Sequence, residues 1–307
     1  MDADAVWGSI INFADYGELL PLVTTSLVAA AVLGLVGGLI GVLVMMRDLA
    51  FAVHGIAELS FAGAAFALLI GVDVVAGSLV GSVSAAVVLG VMGVRARDRN
   101  STIGVLMPFG LGLGILFLSL YQGRSANKFG LLTGQIVAVD EVQLQWLVIV
   151  AAIVLLGLAV LWRPLVFASA DPDMAAARGL PVGALSVAFM VLLGLAVALS
   201  IQVVGALLVL SLLITPAAAA LRVTSTPWLV AALSVGFGVT AAVGGILLAL
   251  GGSIPISPYV TTTSFLIYLI CRVTGAARER RGGRTVRSGR SSSAGRARTP
   301  RPYAPRP

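Results

Sequence analysis

Apolar residues recur along this chain in runs near 20 residues, from about Leu19 to Arg272. A run of that length crosses a bilayer as a helix. Nine segments can be marked, at roughly 19–46, 49–70, 74–94, 102–121, 142–162, 182–200, 203–221, 228–250 and 257–274. The sixth and seventh are nearly continuous and rich in Gly and Ser, so eight or ten crossings also fit the pattern. Gly is frequent inside the runs: Gly34, Gly37, Gly38 and Gly41 in the first, Gly110, Gly112 and Gly114 in the fourth, Gly244 and Gly245 in the eighth. Small residues let helix backbones approach closely in lipid. Gly251-Gly252-Ser253 with Pro255 and Pro258 predicts an external turn between the last two runs. The pattern predicts an all-α fold, a polytopic membrane helical bundle of about 8–9 transmembrane helices.

Composition agrees. The chain is 59% hydrophobic and 11% charged, with a mean hydropathy of +1.05. A soluble domain carries about 25% charged residues, so an ordinary water-exposed surface cannot be built from this inventory. The net charge of +7 suggests nucleic acid until its location is considered. Ten of the 20 basic residues lie in the last 33 positions, against the single acid Glu279. That stretch of Arg, Ser, Gly and Pro cannot form a core. It reads as a basic disordered cytoplasmic tail at 275–307, lying near anionic lipid, and no nucleic-acid partner is expected. A single cysteine, Cys271, excludes an internal disulfide and a Cys-based metal cluster. The amino end lacks a basic region and a small-residue cleavage pattern, so no signal peptide is expected.

Loop charges orient the bundle. The amino end carries Asp2, Asp4, Asp15 and Glu18 and no basic residue. Arg47 follows the first run, Arg95, Arg97 and Arg99 the third, Arg163 and Arg178 the fifth, Arg222 the seventh, and Arg272 with the tail the ninth. With nine spans all of these fall on one side, which the positive-inside rule makes cytoplasmic. Only Arg124 and Lys128, in the loop 122–140, fall outside it. The expectation is an inner-membrane protein with residues 1–18 as a short extracytoplasmic N-terminus, 19–274 as the transmembrane domain, and the C-terminus in the cytoplasm.

Two ionisable residues stand within the runs, His54 and Glu58. His54 is the only histidine. Four positions apart, the two share a helix face. A charged side chain deep in a bilayer costs about 2.5–3.5 kcal/mol, so it faces a polar cavity and has a function. Imidazole and carboxylate are both ligands for Zn²⁺ and Mn²⁺. The alternative is a His–Glu hydrogen bond that satisfies both groups inside the bundle. Two ligands are too few for a transition metal, so others must come from other segments, backbone oxygens or water. Ser60, Gln202, Ser211 and Thr215, and Met45, Met46 and Met107, are weaker helpers that also read as helix-packing residues. In the loop 163–181, Asp171 before Pro172 predicts an N-cap with Pro at the first helical position. One or two turns would follow through Ala175 to Arg178, and Gly179 would end them. A brief helix in a loop between spans needs something to pack on, either a cytoplasmic partner or the membrane surface.

Longer stretches carry a resemblance. RDLAFAVHGIAELSFAGAAFALLIG from Arg47 resembles the signature of the zinc/manganese-type permeases of ABC importers. STIGVLMPFGLGLGILFLS, LLTGQIVAVD, DPDMAAARGLPV and VVGALLVLSLLITPAAAA are similar, in order, to further segments of that family, over most of residues 20–272. The family has Asp and then His four residues on. This chain has His54 where that Asp falls and Glu58 where that His falls. The resemblance implies that the pair binds the metal in the translocation path, and that the permease dimerises. It implies a cytoplasmic ATPase and an extracytoplasmic metal-binding protein as partners. It also implies a coupling helix around Asp171, Asp173, Ala175, Arg178 and Gly179 that docks on the ATPase. The expected function is the permease subunit of an ATP-driven ABC importer of Zn²⁺ or Mn²⁺, with no permanently bound cofactor.

The chain has no G-x-x-x-x-G-K-[ST] phosphate loop, so it is not itself expected to be an enzyme, and ATP would be used by the partner. H-E-x-x-H is absent, and with one histidine an intramembrane metalloprotease is excluded. Two rival readings remain. One is an ABC permease for a metal chelate of the siderophore or cobalamin type, which would not need the His/acid pair. The other is a proton-coupled secondary transporter using the pair as a relay.

Overall fold

The computed structural model describes residues 16–92, 96–123, 131, 141–205, 209–251 and 256–293. Arg124, Lys128, most of the stretch LLTGQIVAVD, the turn at 252–255, and residues 1–15 and 294–307 lie outside the described residues. Among the described residues the chain is helical and contains no strand. A helical turn at Tyr16–Leu19 and a 3₁₀ turn at Leu20–Val23 lead into α1 (Thr24–Met46). Then come α2 (Ala50–Ile70), α3 (Val74–Met92), α4 (Ala96–Leu120) and α5 (Glu141–Ala170). The short α6 (Pro172–Ala177) precedes α7 (Val182–Val204), α8 (Val209–Leu213) and α9 (Thr215–Val223). The chain ends with α10 (Pro227–Ala249) and α11 (Ile256–Ser293). Among the described residues, eight helices are long and apolar enough to cross a membrane.

Two expectations change. The fifth apolar run was expected to stop near residue 162, but α5 continues to Ala170 through Pro164. Proline removes one helical hydrogen bond. Burial of Leu165 and Ala168 beyond it holds the helix together. The seventh run, expected as a continuous span over 203–221, is instead the broken pair α8 and α9. Pro216 has no N–H for the Leu212 carbonyl and its ring crowds that oxygen, so the helix breaks at Ile214. Gly37 of α1 lies against the Leu212 carbonyl. The last helix runs beyond the apolar run, into the basic stretch, as far as Ser293.

The basic segments after α1, α5 and α9 and along α11 meet at one end of the bundle. Arg47, after α1, hydrogen-bonds Ser169 at the end of α5. Met45 and Met46 pack against the cluster of Ala217, Ala220 and Val230, which brings the end of α9 and the start of α10 to the same end. Gly275 of α11 lies against the Arg222 carbonyl, and Arg272 Nη1 donates to the Tyr268 hydroxyl at 3.5 Å. Helix α10 runs antiparallel to α1: Gly34 faces Gly238 and Val239, while Gly38 faces Ser234 and Val235. Because α7 runs away from this end and α9 finishes at it, the broken segment returns the chain to the basic end.

Helix α2 sits inside, packed on α3, α4, α7 and α8. Two features tie it down. The Ser60 hydroxyl donates to the Ser78 carbonyl of α3 at 3.0 Å and shares a 2.8 Å bond with the Ser78 hydroxyl. Gly63 of α2 meets Gly77 and Gly81 of α3 backbone to backbone, with Gly81 also against the Leu59 carbonyl. A side chain at Gly81 has nowhere to go, whereas Gly104 of α4 has open space beside it. Overpacking a close contact costs about 1–3 kcal/mol. Gly81→Leu should therefore lower the thermal midpoint of the purified protein in detergent by at least that equivalent, and Gly104→Leu should leave it within error of wild type.

Candidate functional site

His54 and Glu58 lie on the half of α2 nearer the basic end. At 1.5 Å rise per residue, His54 stands about 6 Å and Glu58 about 12 Å from the first residue of the helix. Both point to one side: His54 Nε2 is 3.5 Å from Glu58 Oε1. Their side chains are 26% and 6% exposed, so the carboxylate is the enclosed member and the imidazole the more open one. Nothing in the local sequence opposes a helix here. Small residues at Gly55 and Ala57 flank the pair, and the cap after Ile70 is supplied by Gly71 at φ +74°.

Helix α4 closes one flank. Gly110 and Gly114, four apart on one face, meet α2 at Glu58–Leu59 and at Phe61; a Cβ on Gly110 would come within 3.0 Å of the Glu58 carbonyl carbon. Gly112, on the opposite face, has open space. Two of the three α4 glycines that the sequence offered as packing residues, Gly110 and Gly114, are thus the ones that let α4 lie against the acid-bearing turn.

A 3.5 Å separation is long for a hydrogen bond, whose N–H···O distances run from about 2.7 to 3.2 Å. It is also within the reach of two donors on one ion. Two donors each about 2.1 Å from one metal, and about 110° apart in tetrahedral geometry, lie about 3.4 Å from each other. The other imidazole nitrogen, Nδ1, is buried and has no hydrogen-bond partner among the described residues. Metal-bound histidines ordinarily anchor the second nitrogen on a carboxylate, carbonyl or water, and an unmet buried nitrogen costs about 1–3 kcal/mol. Among the described residues no third His, Cys, Asp or Glu joins the pair.

The expected helpers divide. Ser60 is fully buried and committed to Ser78. Met45 and Met46 pack against the Ala217–Val230 cluster, and Met107 is half-buried on α4. The Ser211 carbonyl accepts from Ser264 of α11 at 3.0 Å. Thr215 opens α9 just after the break. The Gln202 side chain lies outside the described residues. A cleft of about 430 Å³ runs between α2, α3 and α4, lined by Leu59, Phe66, Leu113 and similar residues. It is apolar apart from Ser84, and neither His54 nor Glu58 lines it.

The loop residues form the short helix foreseen for them. The Asp171 carboxylate accepts from the Met174 N–H at 2.9 Å, capping α6 above Pro172. Ala175 is fully buried, anchoring the helix, while Asp173, Met174 and Arg178 face outward. Gly179, at φ +81°, ends the helix; its N–H donates to the Ala176 carbonyl at 2.9 Å and that of Leu180 to Ala175 at 3.1 Å. Arg178 lies 5.7 Å from the Phe167 ring centroid. Helix α6 packs on the helices flanking it, α5 and α7. Sequence reasoning missed Arg47 as more than a topological marker: it reaches Ser169, at the foot of this same helix.

Comparison with known proteins fits this architecture. The chain is 31% identical over 222 residues, 72% of its length and 76% of the relative's, to the manganese transport system membrane protein MntC of Halalkalibacterium halodurans. It is 28% identical over 263 residues, 85% of its length and 93% of the relative's, to the manganese import system permease protein ScaB of Streptococcus parasanguinis. Among solved structures, PsaBC from Streptococcus pneumoniae in complex with Fab superposes with a TM-score of 0.75 at 27% identity, covering 84% of this chain and 95% of that one. The family model of the ABC 3 transport family matches residues 20–275, and the chain belongs to that family.

Proposed function

We propose that the chain is the membrane-spanning subunit of an ATP-driven importer of a divalent transition metal, with Mn²⁺ the first cargo to test and Zn²⁺ the second. The observation that carries the reading is the His54–Glu58 pair: one imidazole and one carboxylate, 3.5 Å apart on a membrane helix. Relatives named for manganese transport and import support Mn²⁺; the carboxylate suits that ion, and the imidazole suits Zn²⁺. The pair supplies two ligands. Backbone oxygens, water or the same pair from a second copy of the chain would complete the shell.

In this reading the basic end is cytoplasmic, and α6, standing there between α5 and α7, docks on a separate ATPase. An extracytoplasmic metal-binding protein delivers the ion to the opposite end. Two copies rock between outward and inward states around the pair, and the ion keeps ligands throughout because a bare dication is prohibitive in hydrocarbon. The helix break at Ile214 lies in α8–α9, which packs on both α1 and α2. Broken helices with freed carbonyls are found where they line an ion route. A chelate permease would have no use for the pair. A proton relay would stop on collapse of the proton gradient and not on omission of the ATPase.

Three outcomes follow. Removing outer-shell partners of a metal site costs about 10–100-fold; replacing both direct donors, His54→Ala with Glu58→Ala, should lower Mn²⁺ uptake in proteoliposomes at least a hundredfold. Association with the ATPase should survive, and unchanged uptake would remove the site. Loss of an N-cap costs about 1 kcal/mol, roughly fivefold in equilibrium. Asp171→Ala should weaken ATPase docking by that factor in a titration, with Asp171→Asn restoring it. Deletion of 282–307 should leave transport at the wild-type rate in the same vesicles.

A further inference from the structure

The turn joining α1 to α2 is hydrogen-bonded to both helices. Helix α1 ends with Asp48 in the left-handed region at φ +54°, its N–H donating to the Met45 carbonyl at 3.4 Å, while Leu49 N–H donates to Val44 at 3.0 Å. Leu49 is buried at 3% exposure and anchors the turn in the core. This is the doubly bonded helix ending that glycine usually makes, and the Val53 N–H of α2 donates to the Leu49 carbonyl at 3.1 Å, so the segment 47–49 is tied both to the end of α1 and to the start of α2.

Arg47 projects from that piece. Its Nε–H donates to Ser169 Oγ at 2.8 Å across 122 residues of sequence. The Ser169 hydroxyl spends its single proton on the Leu165 carbonyl, at 2.5 Å, so its oxygen is oriented as an acceptor for Arg47. The guanidinium also lies 5.0 Å over the ring of Phe189 in α7, a fully buried side chain. Ser169 is two residues before Asp171, the cap of α6, and α7 begins just after α6. Arg47 thus touches both helices between which α6 is held, and it sits seven residues before His54.

We infer that Arg47 is a positioning residue that couples α6 to α2: displacement of α6 moves Ser169 and Phe189, and Arg47 passes that movement to the helix carrying His54 and Glu58. This rests on the proposed importer function. A hydrogen bond to a charged group and a ring-stacked cation are directional enough for the task, where a flexible lysine is not.

The complete complex, with its ATPase and metal-binding protein, is reconstituted in proteoliposomes, and Mn²⁺ taken up per ATP hydrolysed is measured for wild type, Arg47→Ala, Arg47→Lys, Ser169→Ala and the Arg47→Ala/Ser169→Ala double variant. Loss of a hydrogen bond to a charged group corresponds to roughly a tenfold or larger change. Arg47→Ala should lower the uptake-to-hydrolysis ratio about tenfold with hydrolysis itself within about twofold of wild type, and Arg47→Lys should not restore it. Ser169→Ala should lower the ratio in the same direction, and the double variant should be no worse than Arg47→Ala alone, because both remove one interaction. A wild-type ratio in Ser169→Ala and Arg47→Lys overturns the inference. Should Arg47→Ala fail to assemble, Ser169→Ala decides: a lowered ratio upholds the coupling and a wild-type ratio overturns it. A wild-type complex that takes up no Mn²⁺ on ATP addition removes the importer reading, and the coupling with it.

Discussion

Everything in this molecule depends on backbones being allowed to touch. Hydrocarbon gives no hydrophobic drive for one apolar helix to leave lipid for another, so association relies on close packing and on hydrogen bonds between helices. The chain supplies both around α2. Gly63, Gly77 and Gly81 bring α3 onto it, Gly110 and Gly114 bring α4 onto it, and the Ser60–Ser78 bonds fasten one of those seams. The same device joins α1 to α10 at Gly34 and Gly38, where the Ser234 hydroxyl donates to the Gly38 carbonyl at 2.6 Å.

Against that tight frame, the irregular pieces stand out. The α8–α9 segment gives up helical continuity at Pro216, and its loosened carbonyls face glycines of α1 rather than lipid. The α1–α2 turn places a non-glycine residue at positive φ. The imidazole of His54 leaves Nδ1 without a partner among the described residues. Each departs from what packing alone would select, and all three lie on or beside the helix that bears the pair.

How far this could be read from residues alone varied with the range of the interactions. Crossing helices are announced by run length, a local property, and the α6 cap by Asp171 and Pro172, which need no distant partner. The His54–Glu58 contact was legible because four residues on a helix fix a face. The end of α5 was misplaced: Pro164 and Arg163 look like loop residues until burial of Leu165 and Ala168 against other helices is known. The break in the seventh run needed the environment too, since a proline can merely kink a helix whose neighbours compensate. The Arg47–Ser169 bond had no signature, because neither residue type nor spacing encodes a meeting across 122 positions.

The length of α5 has a mechanical corollary. Thirty residues of helix measure about 45 Å, while the hydrocarbon layer is about 30 Å thick. The apolar stretch ends where Trp162 gives way to Arg163, so the final turns of α5 rise out of the bilayer like a mast. Helix α6 is therefore held at a stand-off from the lipid, on the last turns of α5. Leu165 and Ala168 tie those turns into the core beyond Pro164, where the helix lacks one hydrogen bond.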